Sequence, residues 1–381
     1  MIYLDNAATT RPHPQVLETV GNCLSESFGN PSSTYLLGIN ARRIIDSARK
    51  SMASIFNVPQ AGIIFCGSGT ESDNLALKGI LGDEQPIKGR LITTRLEHSA
   101  VIKTAEWLKQ RGNSVDFVQI DQQTGQVDLN HLEALMQPDT RLVSIQHVNS
   151  ETGIIQDLST ISETVKRKNP ATLIHSDGVQ AFSKIPINLQ FLGVDLYSIS
   201  GHKFHGIKGA GALIMNTKAP LKALIHGGGQ EFDLRSGTEN VAAIAGMGKA
   251  AELACSNIQK NHDLVSAFSS EIKTYFSQHF QNMRIIETPN TIPHIISLSY
   301  PGIPGEVLLN HLAEHEIYVA TGSACNAGSK NLSPVLQTMG FSAQRIRETV
   351  RISLAASEIP SKTAEFLNQF SQVVKDLKQI V

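Results

Sequence analysis

Lys203 lies in Ser198-Ile199-Ser200-Gly201-His202-Lys203-Phe204-His205-Gly206, between two histidines and after an apolar run, Val194-Asp195-Leu196-Tyr197, of strand character. A lysine pinned at a strand end, with its stem packed and cations beside it, has a depressed pKa, and its neutral amine can form a Schiff base. Small residues before it and glycines after it (Gly206, Gly209, Gly211) turn the chain back into Ala212-Leu213-Ile214-Met215. Taken alone the stretch also suits a surface lysine in a β-turn. Asp177, closing Thr172-Leu173-Ile174-His175-Ser176-Asp177, tips the balance. An amine after one strand and a carboxylate at the end of another are the pair that pyridoxal phosphate needs, one for its aldehyde and one for its ring nitrogen.

A second stretch suits the phosphate of such a molecule. Ile63-Ile64-Phe65-Cys66 reads as a buried strand and is followed by Gly67-Ser68-Gly69-Thr70-Glu71-Ser72-Asp73-Asn74 and a helix through Ile80. Glycines between strand and helix, with Thr70 and Asp73 spaced as a capping box, leave backbone N–H groups at a helix N-terminus to bind an anion. The stretch lacks the Gly-Lys-Ser/Thr of a P-loop and the spacing of a dinucleotide fingerprint. His202 and His205 have the spacing of a metal pair, but no carboxylate or cysteine stands near them in sequence, and no metal site is expected.

These residues need a sheet to bring them together, and the chain supplies one. Strand-like runs at 63–66, 91–94, 115–118, 142–145, 172–176 and 194–199 alternate with helical patterns at 99–110, 128–136 and 158–168. Such alternation predicts an α/β fold with a mostly parallel sheet that binds ligands at the carboxyl ends of its strands. Thr70, His98, Asn149, Asp177 and Lys203 all fall at those ends. After the Ala-rich helix 242–254 the pattern changes to strands at 295–299, 317–319 and 349–354 with helices at 305–314 and 361–379. The expected division is a large domain over 16–257 and a smaller α+β domain made of 1–15 and 258–381.

Composition narrows the class. In 381 residues, 33 Lys+Arg balance 34 Asp+Glu, so no bulk field favours nucleic acid or an anionic membrane. No apolar run approaches the roughly 18 residues of a membrane span, and the N-terminus lacks the pattern of a signal peptide. The four cysteines, Cys23, Cys66, Cys255 and Cys325, form no CxxC pair, which fits a reducing, cytoplasmic setting. Cys325 stands apart in Gly322-Ser323-Ala324-Cys325-Asn326-Ala327-Gly328, where small residues surround it.

With these stretches assembled, the chain resembles the cysteine desulfurases of the NifS/IscS-like group, within the class V aminotransferase family of pyridoxal-phosphate enzymes. The resemblance runs through Tyr3-Leu4-Asp5-Asn6-Ala7-Ala8-Thr9-Thr10, Phe28-Gly29-Asn30-Pro31-Ser32-Ser33, Gly69-Thr70-Glu71-Ser72-Asp73-Asn74, Glu97-His98, Ser200-Gly201-His202-Lys203, Arg235-Ser236-Gly237-Thr238-Glu239-Asn240 and the Cys325 loop. It implies fold type I, with Lys203 carrying pyridoxal 5'-phosphate and Asp177 facing its ring nitrogen. Gln180 and the Asn149-Ser150 pair would approach its phenolic oxygen. Gly69, Thr70, Ser200 and His202 would hold its phosphate, with Thr238 reaching in from a second subunit of a homodimer. His98 would stack on the ring, and Asn30 and Arg351 would clamp the substrate carboxylate.

The resemblance further implies that L-cysteine is converted to L-alanine and a persulfide on Cys325, which a sulfur-acceptor protein collects, with iron–sulfur cluster biogenesis among the destinations. A transient iron–sulfur cluster contact at Cys325 is the one metal contact it allows. Neighbouring activities in the family are selenocysteine lyase and class V aminotransferase, and a catalytically weak sulfur-relay scaffold is a third alternative. The chain departs from the family pattern at Ser150, where a second asparagine is usual, at Ile207, and at Phe232-Asp233.

Overall fold

In the computed structural model, which describes residues 1–82, 88–322, 332–359 and 363–380, the β-branched and aromatic runs form strands and the amphipathic stretches form helices. The strands are β1 (Ile2–Tyr3), β2 (Ile63–Cys66), β3 (Arg90–Thr93), β4 (Ser114–Phe117), β5 (Thr140–Ser144), β6 (Leu173–Asp177), β7 (Leu196–Ser200), β8 (Gly211–Met215), β9 (Arg284–Ile286), β10 (Ile295–Ser299), β11 (Ile317–Tyr318), β12 (Ala320–Thr321) and β13 (Thr349–Ser353).

Seven strands make the main sheet in the order β2-β8-β7-β6-β5-β3-β4. From β7 to β4 every pairing is parallel, whereas β8 runs antiparallel to both β7 and β2. Parallel neighbours need crossover connections, and the helices Ser99–Gln110 and Leu158–Lys168 serve as such. Helices on both faces explain why β2 and β7 are apolar or small throughout and buried at every position. One face packs Phe56, Phe182, Phe204 and Met247; the other packs Leu75, Leu77, Val101 and Leu108.

A separate core gathers Phe268, Phe276, Phe366 and Phe370 around the antiparallel sheet β12-β13-β10-β9. Leu4 belongs to this core. The entry segment reaches it because β1 pairs in parallel with β11, and the Ser353 amide donates to the Leu4 carbonyl at 2.7 Å. Among the described residues, no helix is long and apolar enough to cross a membrane.

Two features differ from the sequence reading. The cap of helix Gly69–Leu81 is Ser68, whose hydroxyl accepts the Glu71 amide at 3.1 Å, while Glu71 Oε2 accepts the Gly67 amide at 2.9 Å. The Thr70–Asp73 spacing does not form the box, because Asp73 turns into the protein and is buried. The short helices Pro334–Thr338 and Ala343–Arg347 were not anticipated, since five residues carry too little periodicity to register.

Candidate active site

The parallel pairing of β6 with β7 sets Asp177 opposite Ser198, so the chain leaves both strands at the same edge of the sheet. Asp177 is buried there, with Oδ1 accepting the Val179 amide at 2.9 Å. Burial pushes its carboxyl above the ordinary range; the charges of His98 and Lys203 and the Val179 amide pull it back. Oxygens of Asp73 and Asp177 and a ring nitrogen of His98 lie within 4.8 Å of one another. His98 caps the helix Ser99–Gln110, its Nδ1 accepting the Ala100 amide at 3.2 Å, so the neutral ring carries its proton on Nε2. Lys203, half-buried beyond β7, donates from Nζ to the carbonyls of Ala7 (2.7 Å) and Ala8 (2.8 Å). The structure thus brings three of the expected groups, Asp177, His98 and Lys203, into electrostatic contact.

The helix Gly69–Leu81 begins beside them. Its first-turn amides of Gly69 and Thr70 have no acceptor among the described residues, as expected of a helix start. Added Cβ atoms explain the glycines: one on Gly69 would meet Val179 Cγ2 at 2.8 Å and Ser200 Cβ at 3.3 Å, and one on Gly211 would meet the Ser68 backbone at 2.5 Å. Ser200 therefore stands against the helix start. His202 Nδ1 lies 3.1 Å from Thr9 Oγ1, and burial, ahead of nearby lysines, lowers its pKa to about 4. A neutral imidazole can still donate one hydrogen bond to an anion.

These residues fit pyridoxal phosphate. Asp177 presents a buried carboxylate at the strand ends, and a ring N–H is the kind of partner that such a carboxylate suits. The bare helix start offers donors for a phosphate. The triad of Asp73, His98 and Asp177 also has a spacing that a cation could use, but burial and the Asp177 charge raise the Asp73 carboxyl well above its usual range, and a protonated carboxyl is a poor ligand.

Arg351, buried in β13, donates from Nη1 to the Ser150 carbonyl (2.9 Å) and from Nη2 to Asp5 Oδ1 (2.7 Å). Ala7 and Ala8 hold Lys203, so Arg351 and Lys203 are linked through one short run of the entry segment. From Asp5 to Ala8 that run is three Cα–Cα steps, at most roughly 10 Å of extended chain.

Other expected residues have local partners. Asn149 is buried, with Oδ1 taking the amides of Glu151 and Thr152 (both 2.9 Å) and Nδ2 donating to the Leu96 carbonyl. Gln180 Nε2 donates to the Ala7 carbonyl at 2.9 Å, and its Oε1 receives Lys184 Nζ at 3.4 Å. Asn30 is exposed and closes a turn by accepting the Ser32 amide. Ser150 is half-buried and Thr238 exposed. Cys325 lies outside the described residues. At the Phe232-Asp233 departure, Glu231, Phe232 and Asp233 all have positive φ (48°, 60° and 63°), held by the buried Glu231–Arg49 ion pair at 2.7 Å.

Sequence reasoning passed over Asp73, Lys184 and Glu151 as site neighbours. Lys184 is a buried amine whose pKa burial and the Lys203 charge lower to about 7. Its only sequence signal was a lysine within the mostly apolar run Ala181-Phe182-Ser183-Lys184-Ile185.

An open α/β sheet with an amine, a carboxylate and a bare helix start at its strand ends is the frame of a phosphorylated-cofactor enzyme. The chain belongs to the class V aminotransferase family, whose model matches residues 2–361, and within it to the NifS/IscS-like group. It is 35% identical over 385 residues to a protein of Dictyoglomus turgidum named cysteine desulfurase IscS, covering all of this chain and 96% of that one. A solved NifS-like protein superposes with a TM-score of 0.92 at 36% identity, covering 98% of this chain and 99% of its own. A structure described as SspA in complex with cysteine superposes at 0.83 with 31% identity, covering 93% of this chain and 99% of its own.

Proposed function

We propose that this chain is a pyridoxal-phosphate-dependent cysteine desulfurase that converts L-cysteine to L-alanine and holds the removed sulfur as a persulfide on Cys325. The observation that carries the reading is the meeting of Asp177, His98 and Lys203 at the ends of β6 and β7, linked through residues 5–8 to the buried Arg351. The similarity to a protein solved with cysteine supports L-cysteine as substrate.

When bound, the cofactor supplies an electron sink for the bonds at the substrate α-carbon. Asp177 keeps a proton on its ring nitrogen, and the Gly69 and Thr70 amides with Ser200 and His202 hold its phosphate. Lys203 would be the residue that holds it covalently, and its amine, when free, would be placed to take the α-proton of the substrate. His98 is positioned to move protons on the same face. Arg351 binds the substrate carboxylate through its planar fork. The Cys325 thiolate attacks the substrate sulfur and forms the S–S bond; the C–S bond breaks with its pair left on the substrate carbon, which is protonated to give alanine.

The two apolar cores support dividing the chain into 16–257 and 1–15 with 258–381. Exposed Phe28, Tyr35 and Leu36, together with the exposed Thr238, support a homodimer with a shared site. The free Cys23, Cys66 and Cys255 support a reducing, cytoplasmic location.

The test is product analysis of the cofactor-loaded protein. Equal alanine and sulfide from L-cysteine with a thiol reductant is expected, blocked in Cys325→Ser. Turnover of selenocysteine alone, amino transfer to a keto acid, or no turnover at all would point respectively to the lyase, the aminotransferase or the sulfur-relay scaffold.

A further inference from the structure

Glu151 has no part in the scheme above, yet it touches both sides of the segment that contains Cys325. Its Oε2 accepts a 2.6 Å hydrogen bond from Ser333 Oγ, and a Cβ on Gly322 would stand 2.8 Å from the same oxygen. Gly322 precedes Cys325 by three residues, and Ser333 follows it. Ser333 also caps the helix Pro334–Thr338 by accepting the Leu336 amide at 3.1 Å. Glu151 also lies within the field of Arg351, whose Nη1 holds the carbonyl of the adjacent Ser150 and whose Nη2 holds Asp5. One half-buried carboxylate thus joins three chain segments.

We propose that Glu151 is a positioning residue linking the substrate-carboxylate site at Arg351 to both segments that flank Cys325, so that a carboxylate bound at Arg351 places a proton on Glu151. The inference rests on the assignment of Arg351 made above. Among the described residues, the charge that acts on Glu151 is that of Arg351, which is itself paired with Asp5 at 2.7 Å. Burial pushes the Glu151 carboxyl up, to about 7, against the pull of the Ser333 hydrogen bond and of Arg351. A substrate carboxylate engages the guanidinium and adds a like charge, and both changes favour protonated Glu151. Charge-assisted hydrogen bonds are roughly twice as strong as neutral ones, so protonation weakens the grip on Ser333. The linkage is reciprocal: carboxylate binding tightens as the pH falls through the titration of Glu151.

Propionate, which has the carboxylate but no amine, is the probe. Its binding to the cofactor-loaded protein is followed by calorimetry at pH 7 in two buffers of different ionisation enthalpy. With a pKa of about 7, Glu151 is roughly half ionised there, so uptake approaches half a proton per propionate. Glu151→Gln, which keeps an acceptor for Ser333, is expected to abolish the uptake. Ser333→Ala removes a hydrogen bond that favours the ionised form and is expected to move the pH of maximal uptake upward. Equal uptake in wild type and Glu151→Gln overturns the proposal while leaving Arg351 in place. Propionate binding that Arg351→Gln does not weaken overturns the Arg351 assignment, and the proposal falls with it.

Discussion

Asp73 and Asp177, from a helix and a strand of different sequence regions, bring carboxylate oxygens within 4.8 Å of each other in a buried site. Two carboxylates at that distance cannot both ionise cheaply. Asp177 has the charges of His98 and Lys203 and the Val179 amide in its favour, whereas Asp73 is pushed well up by burial and by Asp177 itself. The negative charge therefore belongs to Asp177, and Asp73 is its neutral neighbour.

That assignment predicts an asymmetry. Asp73→Asn, which mimics the protonated acid, is expected to keep cofactor and turnover within a few-fold of wild type. Asp177→Asn removes a charged partner worth roughly 1.5–3 kcal/mol, which corresponds to about a 10- to 150-fold loss of turnover or cofactor affinity. Cofactor content and steady-state rates of the two proteins decide it, and equal losses would show that the charge is shared.

Glu97 offers a test of the same electrostatics through stability. It accepts from the Gln146 amide (2.9 Å) and Thr94 Oγ1 (2.8 Å) with one oxygen, while the other is buried without a partner among the described residues. Burial is the largest influence and raises its pKa to about 8. The folded state then holds a proton that the unfolded chain releases near its ordinary value, so stability declines as pH rises from about 4.5 to 8. Glu97→Gln has no such proton to lose. Its melting temperature relative to wild type is expected to climb between pH 5.5 and 8, the bound being about 1.4 kcal/mol per pH unit. A difference that stays flat with pH rejects the account.

The sheet was legible because its strands are runs of Ile, Val, Leu and Phe bounded by glycine or by helical periodicity, and the pair Lys203–Asp177 could be read from its position at two strand ends. What could not be read is which groups converge from elements far apart in sequence. Lys184, Glu151 and Asp73 become site neighbours only through packing: Lys184 through Gln180, Glu151 through Ser333, and Asp73 because Ser68 takes the helix cap and frees it to turn inward. Asn30 and Asn149 have local partners as well. Each uses its side-chain oxygen on nearby backbone amides, as asparagine in turns commonly does, a local role that their motif positions did not announce.

Packing around Asp177 sets a third expectation. A Cβ on Gly178 would meet the Tyr197 ring at 2.0 Å, and that ring is fully buried with its hydroxyl 2.9 Å from His147 Nδ1. Overpacking of this kind costs about 1–3 kcal/mol, occasionally more, and here the displaced backbone adjoins Asp177. Gly178→Ala should therefore lower both the melting temperature and cofactor retention. Gly21→Ala is the contrast: nothing lies within 4 Å of its added Cβ in the helix Pro14–Glu26, and a gain of about 0.5–1 kcal/mol is expected from helix propensity.

Lys184 makes the identity of the cofactor-bearing lysine a sharp question, since this amine lies near Lys203 and burial and the Lys203 charge lower its pKa to about 7. Borohydride reduction of the loaded protein should fix the cofactor on Lys203, and Lys203→Ala should lose the visible band. Lys184 donates toward Gln180, whereas Lys203 stands at the end of β7 within the field of Asp177. Peptide mapping that places the label on Lys184 would overturn the assignment.

Arg351 bears on substrate binding and on the fold at once, and kinetics can separate the two. Its guanidinium serves the Ser150 carbonyl with one terminal nitrogen and Asp5 with the other, and Nε is buried without a partner among the described residues. A lysine keeps the charge toward Asp5 but cannot present a planar fork to a second carboxylate. The entry segment should then stay docked, since Ser353 still donates to Leu4 and β1 still pairs with β11. Arg351→Lys is accordingly expected to raise KM for L-cysteine by about 10- to 150-fold, the equivalent of roughly 1.5–3 kcal/mol for a hydrogen bond to a charged group, with a smaller change in kcat. Melting temperature should move little. An unchanged KM with a collapsed kcat and a lowered melting temperature would mean that Arg351 acts through Asp5 to hold the entry segment under Lys203, and that another group binds the substrate carboxylate.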